Sequence, residues 1–134
     1  MIEVAEVIKL IGNTNSSNDK LYLLKKNEHV PGLKEILRFI YNPYIRTGIS
    51  KAKLAKAMKM NIDNSSVRVL WSEAISYFSQ CKTGSDADLV FAARFIATNQ
   101  ETEWLAKAIV TQDLKIGITA TSLNKVYGAD FIPK

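Results

Sequence analysis

The chain has one cysteine and one histidine among its 134 residues, and those scarcities remove whole classes of chemistry. With Cys81 alone no internal disulfide can form, which suits a reducing cytoplasm. Cys81 continues the apolar stripe before it, so the sequence predicts a buried, inert thiol and not a nucleophile. With His29 alone there is no His/Cys set of the kind that holds zinc, and His29, in the linker before Pro31, reads as a polar loop residue. No apolar run reaches about 18 residues, the length that would suggest a membrane span. Acidic Glu3 and Glu6 stand where a secretory leader would be basic, so a soluble, cytoplasmic protein is expected. Also missing are a phosphate-cradling glycine loop, a nucleophile with a histidine base, and carboxylates at cation-site spacing. No segment alternates apolar and polar residues with period two, which excludes an obvious strand.

What is present is an ordinary globular composition, 47% hydrophobic and 23% charged, in a chain long enough to bury a core as one domain spanning 1–134. The net charge of +5 is unevenly spread. Residues 1–33 balance, residues 69–134 carry a small acidic excess, and residues 34–68 hold eight basic groups against Glu35 and Asp63. Such a block is the footprint of a polyanion-binding face, or simply a solvated lysine-rich helix.

Helical periodicity runs through the chain and predicts an all-α fold, a single irregular bundle of seven or eight short helices. The first covers residues 2–12, with Val4, Ile8 and Ile11 inward. Ser17 or Asn18 caps a second, with Leu21 and Leu24 inward and Lys20, Lys25 and Lys26 outward. A third runs from about Pro31 to Asn42, with Leu33, Ile36, Leu37 and Ile40 on one face. Ser50 caps a fourth to about Met60, whose narrow apolar edge (Leu54, Ala57, Met58) leaves Lys51, Lys53, Lys56 and Lys59 facing an anion or water. The fifth is expected from Ser65 to Cys81, burying Val67, Leu70, Trp71, Ala74, Ile75 and Phe78. Ser85 caps a sixth to about Thr98, and a seventh spans about Glu101 to Gln112.

The stretch 112–128 reads as helix end, tight turn, new helix and stop. Gly117 can take positive φ, Thr119 offers a hydroxyl N-cap, and Leu123, Val126 and Tyr127 form an apolar stripe that Gly128 closes. A glycine turn entering a helix N-terminus beside Lys115, Thr119, Thr121, Ser122 and Lys125 suits a phosphate. The same residues also fit an ordinary C-cap followed by an ordinary N-cap.

The run Asp113-Leu114-Lys115-Ile116-Gly117, the helix containing Asn124-Lys125-Val126-Tyr127, and Phe131-Ile132-Pro133 resemble the end of the N-terminal DNA-binding domain of bacteriophage-type ATP-dependent DNA ligases. The specific part of this resemblance covers about residues 104–133. It implies a module that lies across the minor groove at a nick, holding phosphates and not bases, for a parent enzyme that seals nicks in replication and repair. It transfers most directly to Asp113, Leu114, Lys115, Gly117 and the following cap. It transfers less directly to the loop and basic helix from Arg46 to Lys56. Gln112 stands where many members carry a basic residue.

The family's adenylation motif, Lys-x-Asp-Gly, does not occur here, so this chain alone is expected to be inactive. The resemblance thus implies ATP and Mg2+ for a parent ligase and no cofactor for this chain. It further implies a monomer binding double-stranded, nicked DNA in the cytoplasm, the host's if phage-encoded. The expected DNA-binding residues are Arg46, Lys51, Lys53 and Lys56, together with Lys115, Gly117, Thr119, Thr121, Ser122 and Lys125. The alternatives are a small basic helical phage protein that regulates or binds an acidic partner, and a complete small enzyme.

Overall fold

In a computed structural model, residues 1–60 and 68–133 are described. Among these residues are eight α-helices, one 3-10 turn and no strand, so the all-α expectation holds. The helices are α1 (Ile2–Gly12), α2 (Ser17–Lys26), α3 (Leu33–Tyr41), α4 (Lys51–Met58), α5 (Trp71–Phe78), α6 (Asp86–Ala97), α7 (Glu103–Thr111) and α8 (Ala120–Tyr127), with the 3-10 turn at Gln100–Thr102. The chain divides into two compact units, one made of Met1–Tyr44 with Leu114–Lys134, the other of Ile45–Asp113.

The first unit contains α1, α2, α3 and α8, with α2 packed on both α1 and α8. Helix α1 has the expected bounds and buries Val4, Ala5, Ile8 and Ile11. Helix α2 starts earlier than expected, because Ser16 is its cap: the hydroxyl accepts from Asp19 N at 3.4 Å. Helix α3 starts later than expected. Gly32 precedes it at φ 90, a left-handed conformation that no helical turn includes, so Pro31 lies in the turn outside. Its apolar stripe is as anticipated, with Leu33, Ile36, Leu37 and Ile40 all buried.

Helix α8 is locked to α2 by Tyr127, whose hydroxyl donates to the Leu24 carbonyl at 2.7 Å. Burial, with the nearby Glu28 charge, pushes that phenol up to about 12. Beyond α8, Asn124 holds the tail through both halves of its amide: Oδ1 accepts from Ile132 N at 2.8 Å and Nδ2 donates to Ile132 O at 3.4 Å. Phe131 and Ile132 are buried as a result.

In the second unit α6 packs on α4, α5 and α7, and α4 also packs on α7. Ala57, Ala74, Ala92, Ala93 and Ala106 are buried, so the helices approach closely, and Phe78, Phe95, Leu89, Leu105 and Ile109 fill the space between. Full burial of each large side chain stabilises the unit by roughly 1.5–3 kcal/mol. Helix α4 ends at Met58, two residues early, and leaves Met58 exposed.

Helix α5 is the main departure. Residues 65–67, where the sequence predicts its first turn, lie outside the described residues, and 68–70 are not helical. Its N-cap is Leu70, whose amide donates to the Glu73 carboxylate at 3.1 Å, so Leu70 is exposed and Trp71 only half-buried. The helix also stops at Phe78, and Cys81 lies beyond it at φ 57, exposed. Helical periodicity no longer applies there, and the expectation of a buried thiol is corrected.

Helix α6 opens as expected at Ser85, which accepts from Asp88 N at 3.3 Å. Asp88 is buried. It accepts from the Tyr77 hydroxyl at 2.6 Å, from Gly84 N at 3.1 Å and from Ser85 N at 3.2 Å. Burial alone would raise its carboxyl, but these hydrogen bonds outweigh it and hold the group below the ordinary range.

Candidate nucleic-acid interface

The ten residues singled out by sequence fall in both units: Arg46, Lys51, Lys53 and Lys56 in the second, and Lys115, Gly117, Thr119, Thr121, Ser122 and Lys125 in the first. The basic block of residues 34–68 is likewise divided, since Lys34 and Arg38 belong to α3 of the first unit.

In the second unit the loop at 45–49 is held from behind by uncharged groups. Thr47 is buried, and its hydroxyl donates to Val110 O at 2.6 Å and accepts from Ile49 N at 3.2 Å. Gln112 clamps the same loop through both halves of its amide, with Nε2 donating to Ile45 O at 2.8 Å and Oε1 accepting from Thr47 N at 3.2 Å. Gln112 reaches the loop from a left-handed position, φ 53, that ends α7. It is therefore a scaffold for Arg46, a role that sequence reasoning missed because its partners lie more than sixty positions away.

Gly48, at φ 75, backs the loop onto the turn at Thr83–Gly84, and a Cβ there would stand 2.6 Å from Gly84 N. Arg46 is left exposed at the surface of this frame.

Ser50 then caps α4 as expected, accepting from Lys53 N at 3.2 Å. The expectation that the α4 lysines face only an anion or water is corrected at Lys51, whose ammonium meets Asp113 at 2.9 Å. Helix α4 contains no acid, so the partner had to come from elsewhere in the chain. Lys53 reaches Thr83 O at 3.4 Å. Lys56 and Lys59 are exposed.

In the first unit Gly117 has the anticipated positive φ, 73, but it does not end a helix. Helix α7 stops at Thr111, before Leu114, and residues 114–118 form an irregular link in which Ile116 and Ile118 are buried. Lys20, expected to point outward, donates to Ile116 O at 2.8 Å. A Cβ on Gly117 would press on the same ammonium. Tyr41 donates to Ile118 O at 3.3 Å.

Thr119 caps α8 as expected, accepting from Ser122 N at 3.2 Å, with the two hydroxyls 3.3 Å apart. The Ser122 amide is thereby used, and the amides of Ala120 and Thr121 remain at the open end of the helix. Lys115 and Thr121 are exposed, and Lys125 lies in the last turn of α8, away from those amides. Lys20, which no local motif marks, is the cation the fold adds to this turn.

Among the described residues no group of His, Cys, Asp and Glu could hold a metal ion, and no helix is long and apolar enough to cross a membrane.

No protein-family model matches the chain, and no curated protein matches it. Among solved structures it is similar to one named Pmar-Lig_PreS3, with a TM-score of 0.66 and 18% identity over 92% of this chain. That likeness is one of fold. The chain spans 29% of the length of that neighbour, whose name is that of a ligase.

Proposed function

We propose that this chain is a DNA-gripping module of the kind that precedes the catalytic domain in ATP-dependent DNA ligases. It holds duplex DNA, nicked above all, through backbone phosphates and without sequence preference. The observation that carries this is the basic stretch from Arg46 to Lys56, exposed at the surface and braced from behind by the uncharged Thr47 and Gln112. The turn at 115–122 supplies a second set of phosphate-binding groups, with Lys20 and Lys115 as cations and Thr119, Thr121 and Ser122 as hydroxyls. The likeness of fold to a structure with a ligase name supports the choice among polyanion binders. Groups of these types position a duplex and do not read bases. Nick sealing, with ATP and Mg2+, would belong to a parent enzyme, since this chain has no Lys-x-Asp-Gly.

The test is anisotropy titration of nicked and intact duplexes of unrelated sequence at several salt concentrations. If about five phosphates are neutralised, the log–log slope should be about −4 to −5, equal for all sequences. Absence of binding at low salt, or binding that ignores salt, would overturn the proposal. Binding to acidic polypeptides in preference to DNA would instead favour a small interaction protein.

A further inference from the structure

Two cations of the basic block take no part in the surfaces above. Lys34 and Arg38 stand on α3 and line a cleft of about 610 Å³ whose other walls include Glu35, Tyr127, Asp130 and Phe131. Arg38 is fixed in place: its Nε donates to Phe131 O at 3.1 Å, and its guanidinium carbon lies 4.8 Å from the centre of the Phe131 ring. Lys34 lies over the Tyr127 ring, with its ammonium 5.1 Å from the centre. Among the described residues neither cation has a carboxylate within 4.0 Å, although Glu35 and Asp130 line the same cleft. Among the described residues Arg38 bonds the protein through its inner nitrogen and shows no hydrogen bond or ion pair from its two terminal nitrogens, beside a second cation held over a ring. A planar fork of that kind matches the paired oxygens of a phosphate.

We propose that this cleft is a phosphate site, with Arg38 as the fork and Lys34 as the second charge. The phosphate is either one on the backbone of a bound duplex or a free phosphate. The duplex form rests on the DNA-gripping function proposed above, and the free form does not. Asp130 opposes the ligand and sets an upper limit on affinity.

The experiment follows the Arg38 Nε–Hε resonance of the isotopically labelled whole chain by NMR. Its bond to Phe131 O slows exchange with water and keeps the signal observable. Inorganic phosphate and nicked duplex are titrated separately, with duplex binding itself recorded by anisotropy. Saturable movement of the resonance with duplex assigns a backbone phosphate, and Lys34→Gln should then shrink the salt slope by about 1. Movement with inorganic phosphate alone assigns a free phosphate, and this outcome survives even if the duplex does not bind at all. Asp130→Asn should tighten whichever ligand moves the signal.

Arg38→Gln could loosen the tail by removing the bond to Phe131 O, so Lys34→Gln, which gives up a ring contact and an attraction to Glu28 but no hydrogen bond among the described residues, is the decisive variant. If neither ligand moves the resonance, the site does not exist, and anisotropy shows separately whether DNA binding stands. Weaker phosphate binding in Asp130→Asn would likewise overturn the proposal, because a phosphate held in this cleft must be repelled by the Asp130 carboxylate.

Discussion

Around Arg46 the backbone is braced by uncharged groups, Thr47 on Val110 and Gln112 on Ile45 and Thr47. Around Gly117 one of the braces is itself a cation, Lys20, bonded to the Ile116 carbonyl. The two solutions have different consequences for binding an anion. An uncharged brace can be removed without altering the local potential, so in the second unit stability and affinity are separable by mutation. A charged brace contributes to both, since its field still reaches the turn while its proton is committed to a carbonyl. The first unit thus obtains an immobile charge at the turn, at the cost of coupling its fold to its electrostatics.

The strongest test of the uncharged brace is Thr47→Val, which preserves shape and removes the hydroxyl. Val110 O and Ile49 N then lose their partner in a buried place, and the loss should be about 2 kcal/mol or more in urea or thermal unfolding. DNA binding by the folded fraction should keep its salt slope, because no charge has changed. A loss below about 0.5 kcal/mol would remove Thr47 as a brace, given what a satisfied hydrogen bond normally contributes.

Next in size is Asp88→Asn. It leaves the turn at Gly84–Ser85, on which Gly48 is backed, with one carboxylate fewer to bind its amides, and should cost about 1–3 kcal/mol. Because the folded carboxyl is held below its ordinary value, the wild-type contribution is fully present above the unfolded value of about 3.9. It disappears as pH falls from there through the lower folded value. The stability difference between wild type and Asp88→Asn should therefore be constant near neutrality and shrink in acid; a constant difference down to the lowest pH would refute the assignment.

Smaller, and directed at the charged brace, is the pair Lys20→Met and Lys115→Ala. Lys20→Met should lose about 1 kcal/mol, for one partly exposed hydrogen bond, and also flatten the salt slope. Lys115→Ala should leave the melting temperature nearly unchanged and reduce the slope by about 1. Identical behaviour of the two variants would erase the distinction between braces.

The smallest effect is expected from Asp113→Asn. The pair with Lys51 is largely exposed and contributes about 0–1 kcal/mol. DNA affinity should rise slightly, as Lys51 loses a carboxylate that competes with phosphate. A clear fall in affinity would instead assign Asp113 a direct part in the interface.

Much of this was legible in the sequence wherever the cause is local. The bounds of α1, the hydroxyl caps at Ser50, Ser85 and Thr119, the closing Gly128 and the stripe on α3 all depend on residues within a few positions of one another. The misjudged features depend on remote partners or on where a period ceases. The stripe around Trp71 has helical spacing, but spacing does not say that the helix starts at Trp71 and stops at Phe78, which is what exposes Leu70 and Cys81. Lys20 reads as an outward lysine, and Gln112 and Asp113 as positions of the ligase-like motif, because their partners, Ile116, Ile45 with Thr47, and Lys51, are more than sixty positions away. For the candidate site, the kinds of residue were visible in sequence, whereas the braces that hold them were not.

Gly48 and Gly84 are each other's obstacle. A Cβ on the first would meet Gly84 N at 2.6 Å, and a Cβ on the second would meet the Gly48 carbonyl carbon at 3.0 Å, with both backbones at positive φ. In thermodynamic terms the two positions behave as one variable. Alanine at either should cost well over 1 kcal/mol through the left-handed backbone and the collision together. Once one substitution has pushed the strands of chain apart, the second meets an opened gap, so the double variant should lose less than the sum of the singles. That sub-additivity would measure how far the loop carrying Arg46 can lift from its bed while the rest of the unit stays folded.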